Sequence, residues 1–210
     1  MGVASGKVAG PGSAIPLLIP PGEFDAYIFD CDGTITDSMP LHHRAWCEAL
    51  APSGCPFPEP LFYEWAGTPT RRIVERLNEK FGLRMSPEAV TQAKERHFLT
   101  LLPEVAGIAE VLQQIRLQHG RKKLAVASGS DRAAVLSSLK AVGVDGLFDA
   151  VVGAEDYARG KPEPDAFLKA AELLGVVPGK CLVFEDAELG IRAAEAAGMK
   201  WVKVPQPGRP

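Results

Sequence analysis

The segment Asp30-Cys31-Asp32-Gly33-Thr34-Ile35-Thr36-Asp37 follows directly after the apolar run AYIF at 26–29. Residues two apart in extended chain point to the same side, so Asp30 and Asp32 share a face and Cys31 points away. Gly33 then allows a sharp turn or the close approach of a ligand. Taken alone, the segment could equally be an Asx-type turn with solvated acids. The function of this segment therefore depends on which other residues of the chain lie near it in the fold.

Apolar runs of the β type alternate with helical stretches along most of the chain. The runs are continuous, which is typical of strands buried on both faces, and the helical stretches end at glycine. This alternation predicts an α/β fold, with a doubly wound, Rossmann-like parallel sheet as the core. The predicted strands lie at 26–30, 123–128, 149–153, 181–186 and 200–204, and the helices between them at 133–143, 165–175 and 189–198.

One region contains only helical patterns. Helices are predicted at 39–51, around 61–65, at 69–81 with Thr68 as N-cap and Pro69 as first residue, and at 87–101. We therefore expect an all-helical cap, residues 38–104, inserted after the first strand. The remaining predicted units are a Gly- and Pro-rich flexible leader at 1–22 and a core made of 23–37 and 105–210.

Composition excludes several classes of protein. Of 210 residues, 46% are hydrophobic, so the chain can form a sizeable core. The net charge of −3 argues against nucleic acid or an anionic membrane as partner, and no apolar run approaches the roughly 18 residues that span a bilayer. The four cysteines form no C-x-x-C pair, which argues against a zinc site. We expect a cytoplasmic monomer with reduced cysteines.

Three further groups of polar residues follow predicted strands. They are Ser128-Gly129-Ser130, Lys161, and the acidic pair Glu185-Asp186. Each has an ordinary interpretation: a common loop, a solvated lysine, and a helix cap. Carboxyl ends of parallel strands meet at one sheet edge, however, so these groups are expected to converge with Asp30 and Asp32. Four carboxylates together require cations, and Mg²⁺ is the divalent ion that best suits carboxylate oxygens.

This set of residues resembles the motifs of a known superfamily. Asp30-x-Asp32-Gly33-Thr34-x-x-Asp37-Ser38 resembles the first motif of the haloacid dehalogenase superfamily. Ser128, Lys161 and Glu185-Asp186 match the second, third and fourth motifs in order. The helical insert resembles the cap of the β-phosphoglucomutase-like subfamily. The segments VFEDAELGI at 183–191 and GTPT at 67–70 are most similar to its sugar-phosphate phosphatases of the fructose-1-phosphate type.

The resemblance implies a Mg²⁺-dependent phosphatase that hydrolyses a small phosphorylated metabolite, such as a sugar phosphate. Asp30 would be the nucleophile that forms an aspartyl-phosphate, and Asp32 the acid and base. The Asp30 carboxylate, the Asp32 main-chain carbonyl and Asp186 would hold Mg²⁺, with Glu185 close by or acting through water. The transferring phosphoryl oxygens would be bound by Ser128, Gly129 and Lys161.

Substrate selection is expected from the cap, at His42, Trp46, Thr68, Thr70 and Arg72. Three of these residues also have an interpretation that involves no contact with substrate. His42 could be an exposed helix histidine, Trp46 part of the cap core, and Arg72 part of a solvated face.

The sequence also bears on several alternatives to a phosphatase. In the mutase of this subfamily, the lysine and the asparagine of a Ser-Lys-Asn stretch bind a second phosphate. Here the stretch reads Ser130-Asp131-Arg132, where Asp131 would repel a phosphate and Arg132 could partly substitute. A dehalogenase needs no metal and has no acid at the position that Asp32 occupies here, so the sequence argues against one. A phosphonatase needs a lysine in the cap that forms a Schiff base. The cap offers Lys80 and Lys94, and neither has sequence neighbours that suggest this role. A catalytically silent phosphate-binding module and a phospho-receiver domain are the non-enzyme alternatives.

Overall fold

The computed structural model describes residues 17–206, and its centre is a parallel sheet of five strands. The strand order is β3-β2-β1-β4-β5, and every neighbouring pair is parallel. This confirms the predicted doubly wound α/β core. The strands are β1 (Ala26–Phe29), β2 (Lys123–Ala127), β3 (Ala150–Val152), β4 (Cys181–Glu185) and β5 (Lys200–Lys203).

Helices connect the strands and form the insert. Four of them lie between β1 and the next core helix: α1 (Met39–Leu50), α2 (Glu59–Glu64), α3 (Thr70–Phe81) and α4 (Pro87–Leu101). The core helices are α5 (Ala109–Gln118), α6 (Arg132–Ala141), α7 (Asp165–Leu174) and α8 (Glu188–Ala196). Helix α5 was not predicted as a separate element.

Three apolar clusters account for the packing. One lies on a face of the sheet and includes Phe29 and Phe184, whose rings stack with centroids 4.5 Å apart. A second lies on the opposite face and includes Ile28 and Phe167. The third belongs to the helices of the insert and includes Trp46. The insert thus buries its own apolar side chains, as the predicted all-helical unit requires.

The start of α3 differs from the prediction by one residue. Pro69 is the N-cap, with extended backbone at ψ 139°, and Thr70 is the first helical residue. Thr68 belongs to the preceding turn, because its N–H donates to the carbonyl of Trp65. The expectation that Thr68 caps the helix is therefore wrong.

Several other expectations meet the structure only in part. All four cysteines are free thiols; Cys47 is exposed and the other three are buried. Within residues 17–206 no helix combines the length and apolarity needed to span a bilayer. Most of the predicted leader, residues 1–16, lies outside the described residues. The monomeric state and the cytoplasmic location stay predictions.

Candidate active site

A cavity of about 80 Å³ lies where the carboxyl ends of the central strands face the insert. Its core wall contains the acidic, hydroxyl and lysine groups that the motifs predicted to converge. Its other wall belongs to α1, α2, α3, α4 and the loop before α3. The core side is lined by Asp30, Asp32, Ser128, Gly129, Ser130, Lys161, Glu185, Asp186 and Ala187.

Lys161 links two of the acids at the floor of the cavity. Its Nζ lies 2.6 Å from Asp30 Oδ1 and 2.6 Å from Glu185 Oε2, and all three side chains are buried. Burial would lower the pKa of Lys161, but the charges of Asp30 and Glu185 outweigh it and hold that pKa above its ordinary value. Burial, followed by repulsion from Glu185, raises the pKa of Asp30 to about 7. Lys161 is thus a fixed cation beside a carboxyl whose pKa is raised.

Asp32 has a different environment. It accepts hydrogen bonds from the Ser38 hydroxyl at 2.7 Å, from His42 Nε2 at 2.8 Å and from the Ser130 hydroxyl at 2.7 Å. Burial alone would raise the pKa of Asp32, but the His42 charge and these hydrogen bonds hold that pKa well below its ordinary value. The environments of the two aspartates of the first motif therefore shift their pKa values in opposite directions.

The fourth acid, Asp186, lies against the turn at Gly33. Asp186 Oδ1 accepts from the Thr34 hydroxyl at 3.1 Å. A Cβ on Gly33 would lie 2.5 Å from Asp186 Oδ2, and Gly33 has φ +94°, so the turn requires glycine for space and for backbone conformation. Burial and the charges of Glu185 and Asp30 raise the pKa of Asp186 well above its ordinary value. This carboxylate is thus held close to other acids with little to neutralise it.

The segment after β2 forms a loop rich in donors. The Ser130 N–H donates to Ser128 Oγ at 3.0 Å, which leaves the Ser128 hydroxyl hydrogen free to donate elsewhere. Ser128 is 1% exposed, and both it and Gly129 line the cavity. A hydroxyl and a free main-chain N–H at one wall are groups that bind an anion.

Most of the insert residues expected to face the substrate do line the cavity: His42, Trp46, Thr68 and Thr70. His42 is 5% exposed, so its alternative interpretation as an exposed histidine is wrong. Trp46 combines both interpretations, because it lines the cavity and packs against Phe57 in the insert's apolar cluster.

Arg72 is the exception among the expected cap residues. It is exposed, lies outside the cavity wall, and pairs with Glu75 at 2.9 Å and Glu79 at 3.8 Å. The helical rotation of about 100° per residue explains the difference, since Arg72 lies two positions after Thr70 and so points to the other side of α3.

Sequence reasoning missed a lysine in the cavity wall. Lys94 is 2% exposed and lines the cavity, and its Nζ lies 2.9 Å from Glu95 Oε1. The expectation that Lys94 has no suggestive setting is therefore wrong. Lys94 and the buried Phe98 are four residues apart on α4, so the buried stripe of that helix was the signal that could have found it. Apolar wall residues that were also missed are Met39, Phe62, Trp65 and Ile73.

Arg132 does not face the cavity. Its guanidinium donates to the Val151 carbonyl at 2.6 Å and to the Asp156 carboxylate at 2.6 Å. Asp131 lies near Glu95 and Glu155, and burial together with their charges raises the pKa of Asp131. Arg132 therefore does not offer the cavity a cation for a second phosphate, although its position in the sequence had suggested that it could.

Comparison with known proteins gives a consistent picture. A family model described as haloacid dehalogenase-like hydrolase matches residues 24–198. The fructose-1-phosphate phosphatase YqaB of Escherichia coli is 38% identical over 177 residues, which cover 84% of this chain and 94% of YqaB. A phosphorylated carbohydrates phosphatase of Thermotoga maritima is 34% identical and covers 84% of this chain and 82% of its own. A hydrolase structure from Pseudomonas syringae superposes with a TM-score of 0.80 at 25% identity, covering 89% of this chain and 87% of that one.

Proposed function

The chain belongs to the haloacid dehalogenase-like hydrolases, and we propose that it is a phosphatase acting on small phosphomonoesters, with sugar monophosphates as its substrate class. The observation that carries this proposal is the pair of aspartates at the cavity wall. Asp30 lies against the cation Lys161, and Asp32 is held by three donors, at 2.7 to 2.8 Å. A carboxyl beside a fixed cation, a second carboxyl held by three donors and an anion-binding loop together are suited to phosphoryl transfer.

In the first step, a carboxylate oxygen of Asp30 attacks phosphorus and the bond from phosphorus to the leaving oxygen breaks. Asp32 supplies a proton to that oxygen, which leaves as an alcohol. Because its donors hold Asp32 ionised in the described arrangement, it must lose some of them to carry this proton. Ser38 and His42 are the donors at the start of the insert, so a shift of the insert would release Asp32.

In the second step, Asp32 accepts a proton from water, and the resulting hydroxide oxygen attacks the phosphorus of the aspartyl-phosphate. The bond from phosphorus to Asp30 breaks, which restores the carboxylate and releases inorganic phosphate. The donors that hold Asp32 ionised keep it in the form that can accept this proton, but they also make it a weaker base. Lys161, the Ser128 hydroxyl and the Gly129 N–H would bind the phosphoryl oxygens in both steps.

The acidic residues fit a divalent cation. Asp30, Glu185 and Asp186 each offer a carboxylate oxygen, and these oxygens lie within 4.8 Å of one another. We propose that Asp30, Asp186 and the Asp32 main-chain carbonyl hold Mg²⁺, which prefers such hard oxygen donors. When bound, the ion neutralises carboxylate charge and polarises a phosphoryl oxygen. Glu185 acts indirectly, since its oxygens accept from Lys161 at 2.6 Å and from the Ala187 N–H at 3.0 Å.

The insert, 38–104, would serve as a cap that selects the leaving group. The aromatic side chains of Trp46, Phe62 and Trp65 offer surfaces on which the C–H groups of a sugar can pack. Lys94 brings a cation, but Glu95 pairs with it at 2.9 Å, so this end of the cavity suits a neutral, hydroxylated group rather than a second phosphate. A cavity of about 80 Å³ also limits the size of that group.

The proposal is tested by phosphate release from a panel of sugar and polyol monophosphates in the presence of Mg²⁺. The Asp30→Asn variant, purified identically, is the control for contaminating phosphatases, because an amide cannot act as the nucleophile. We expect the native protein to release phosphate from at least one sugar phosphate and the variant to release none above background. Equal rates for the two proteins would overturn the proposal.

A further inference from the structure

Tyr157 lies behind the anion-binding loop, outside the cavity. Its hydroxyl donates to the main-chain carbonyl of Ser128 at 3.0 Å. The ring packs against the apolar cluster on the sheet face that includes Phe167. Within the described part of the chain, no other donor reaches the Ser128 carbonyl. This hydrogen bond therefore determines which way that carbonyl points.

The orientation of the Ser128 carbonyl also determines the orientation of the next N–H. The peptide bond between Ser128 and Gly129 is trans, and in a trans peptide the C=O and N–H bonds point in opposite directions. Tyr157 holds the carbonyl from the core side, whereas Gly129 lines the cavity. The Gly129 N–H therefore points away from Tyr157. No acceptor among residues 17–206 takes it.

We propose that Tyr157 is a positioning residue that presents the Gly129 N–H to a phosphoryl oxygen. The inference rests on the proposed function, because it assigns Gly129 as a donor to the transferred group. Burial raises the pKa of Tyr157, so the phenol remains a hydrogen-bond donor throughout the neutral range. The side chain itself touches neither the substrate nor the reacting atoms. Its effect is to fix the peptide plane before the anion arrives, which lowers the entropy lost on binding.

The test compares Tyr157→Phe with a matched variant, Tyr27→Phe. Each keeps its ring and loses one phenol oxygen, but Tyr27 lies near the start of β1 and is absent from the cavity wall. Inorganic phosphate is the probe, as a product inhibitor and as a titrant for the Gly129 amide resonance in ¹H–¹⁵N NMR spectra. One lost hydrogen bond is expected to weaken phosphate inhibition and raise KM by about three- to tenfold. The kcat is expected to change less than KM, and Tyr27→Phe is expected to match the native protein.

The NMR measurement separates positioning from general destabilisation. In the native protein, phosphate should shift the Gly129 amide resonance, and in Tyr157→Phe that shift should shrink while the rest of the spectrum keeps its dispersion. Equal phosphate affinity and an equal Gly129 shift in both proteins would overturn the role of Tyr157. If the native protein neither binds phosphate nor releases it from any ester, the proposed function fails instead, and this outcome is distinguishable because it does not depend on the variant.

Discussion

His42 Nε2 lies 2.8 Å from Asp32 Oδ1, and this contact joins helix α1 of the insert to the loop that follows β1 of the core. The histidine ring stacks on Phe98 of α4, with centroids 3.9 Å apart. Two helices of the insert therefore hold the group that keeps Asp32 ionised. The position of the insert and the protonation of the proposed acid–base residue are therefore coupled through this hydrogen bond and the one from Ser38.

Replacing His42 is expected to change the pH dependence of turnover. His42 lowers the pKa of Asp32, so in His42→Ala that pKa rises and Asp32 becomes protonated earlier as the pH falls. The acid limb of the kcat profile should therefore move to higher pH, with the loss relative to the native protein growing as the pH falls from 7 toward 4. The control is His43→Ala, whose ring contacts the Phe57 carbonyl and lies outside the cavity. Parallel profiles for native protein and His42→Ala would contradict this coupling.

The convergence of the core residues could be predicted because it depends on topology alone. Asp30 and Lys161 each follow a strand and Glu185 is the last residue of one, and parallel strands bring their carboxyl ends to one edge. The buried stripe of α3 was also readable, because its apolar residues recur every three or four positions.

Contacts between distant side chains could not be predicted in the same way. Ser130 and Asp32 are 98 positions apart, and their 2.7 Å hydrogen bond depends on how the loops after β2 and β1 meet. Arg72 was misplaced because two residues of helical rotation turn it from the cavity to solvent. Arg132 lies beside the site in sequence, but its bond to Asp156 draws it away. In each case the tertiary partner decides the direction of the side chain.

Metal binding is expected to depend on pH. Burial and Glu185 raise the pKa of Asp30 to about 7, so below that pH a proton competes with Mg²⁺ for the carboxylate. The apparent affinity for Mg²⁺ should therefore rise between pH 6 and pH 8, with proton release that calorimetry in buffers of different ionisation enthalpy detects. Asp30→Asn should lose this proton release. Excess chelator should abolish turnover and Mg²⁺ should restore it, whereas full activity in chelator would contradict the proposed metal site.

The absence of a side chain at Gly190 is expected to be essential for the position of Glu185. A Cβ on Gly190 would lie 2.0 Å from the Glu185 carboxylate, so Gly190→Ala must displace that group and, with it, the anchor of Lys161. We expect turnover to fall by about 10- to 100-fold. Gly146→Ala is the control, since a Cβ there meets no atom within 4 Å. Circular dichroism and the thermal midpoint give the folded fraction, and unchanged turnover per folded molecule would contradict the prediction.

Substitution of Lys94 is expected to affect KM much more than substitution of Arg72. Lys94 lines the cavity, so Lys94→Met should raise KM for the preferred sugar phosphate by about tenfold, because a buried donor to the leaving group is lost. Arg72 is exposed and paired on its own helix, so Arg72→Ala should change KM less than about twofold. Steady-state kinetics on the same substrate decide the comparison. A larger effect at Arg72 than at Lys94 would show that the insert closes over the substrate in a different arrangement.

The fate of the aspartyl-phosphate decides between hydrolysis and transfer to a second sugar hydroxyl. Transfer needs a cationic side chain that binds the distal phosphate of a bisphosphate. The groups on this side of the cavity oppose one: Arg132 is held by Asp156, Asp131 is an acid, and Lys94 is neutralised by Glu95. Each like charge near a second phosphate adds repulsion. We therefore expect inorganic phosphate as the product from a sugar monophosphate, with no requirement for a bisphosphate activator. Phosphorus NMR with β-glucose 1-phosphate as the supplied ester measures both outcomes at once. Glucose 6-phosphate accumulating faster than free phosphate would identify a mutase, since water would then be losing the competition for the phosphoryl group on Asp30.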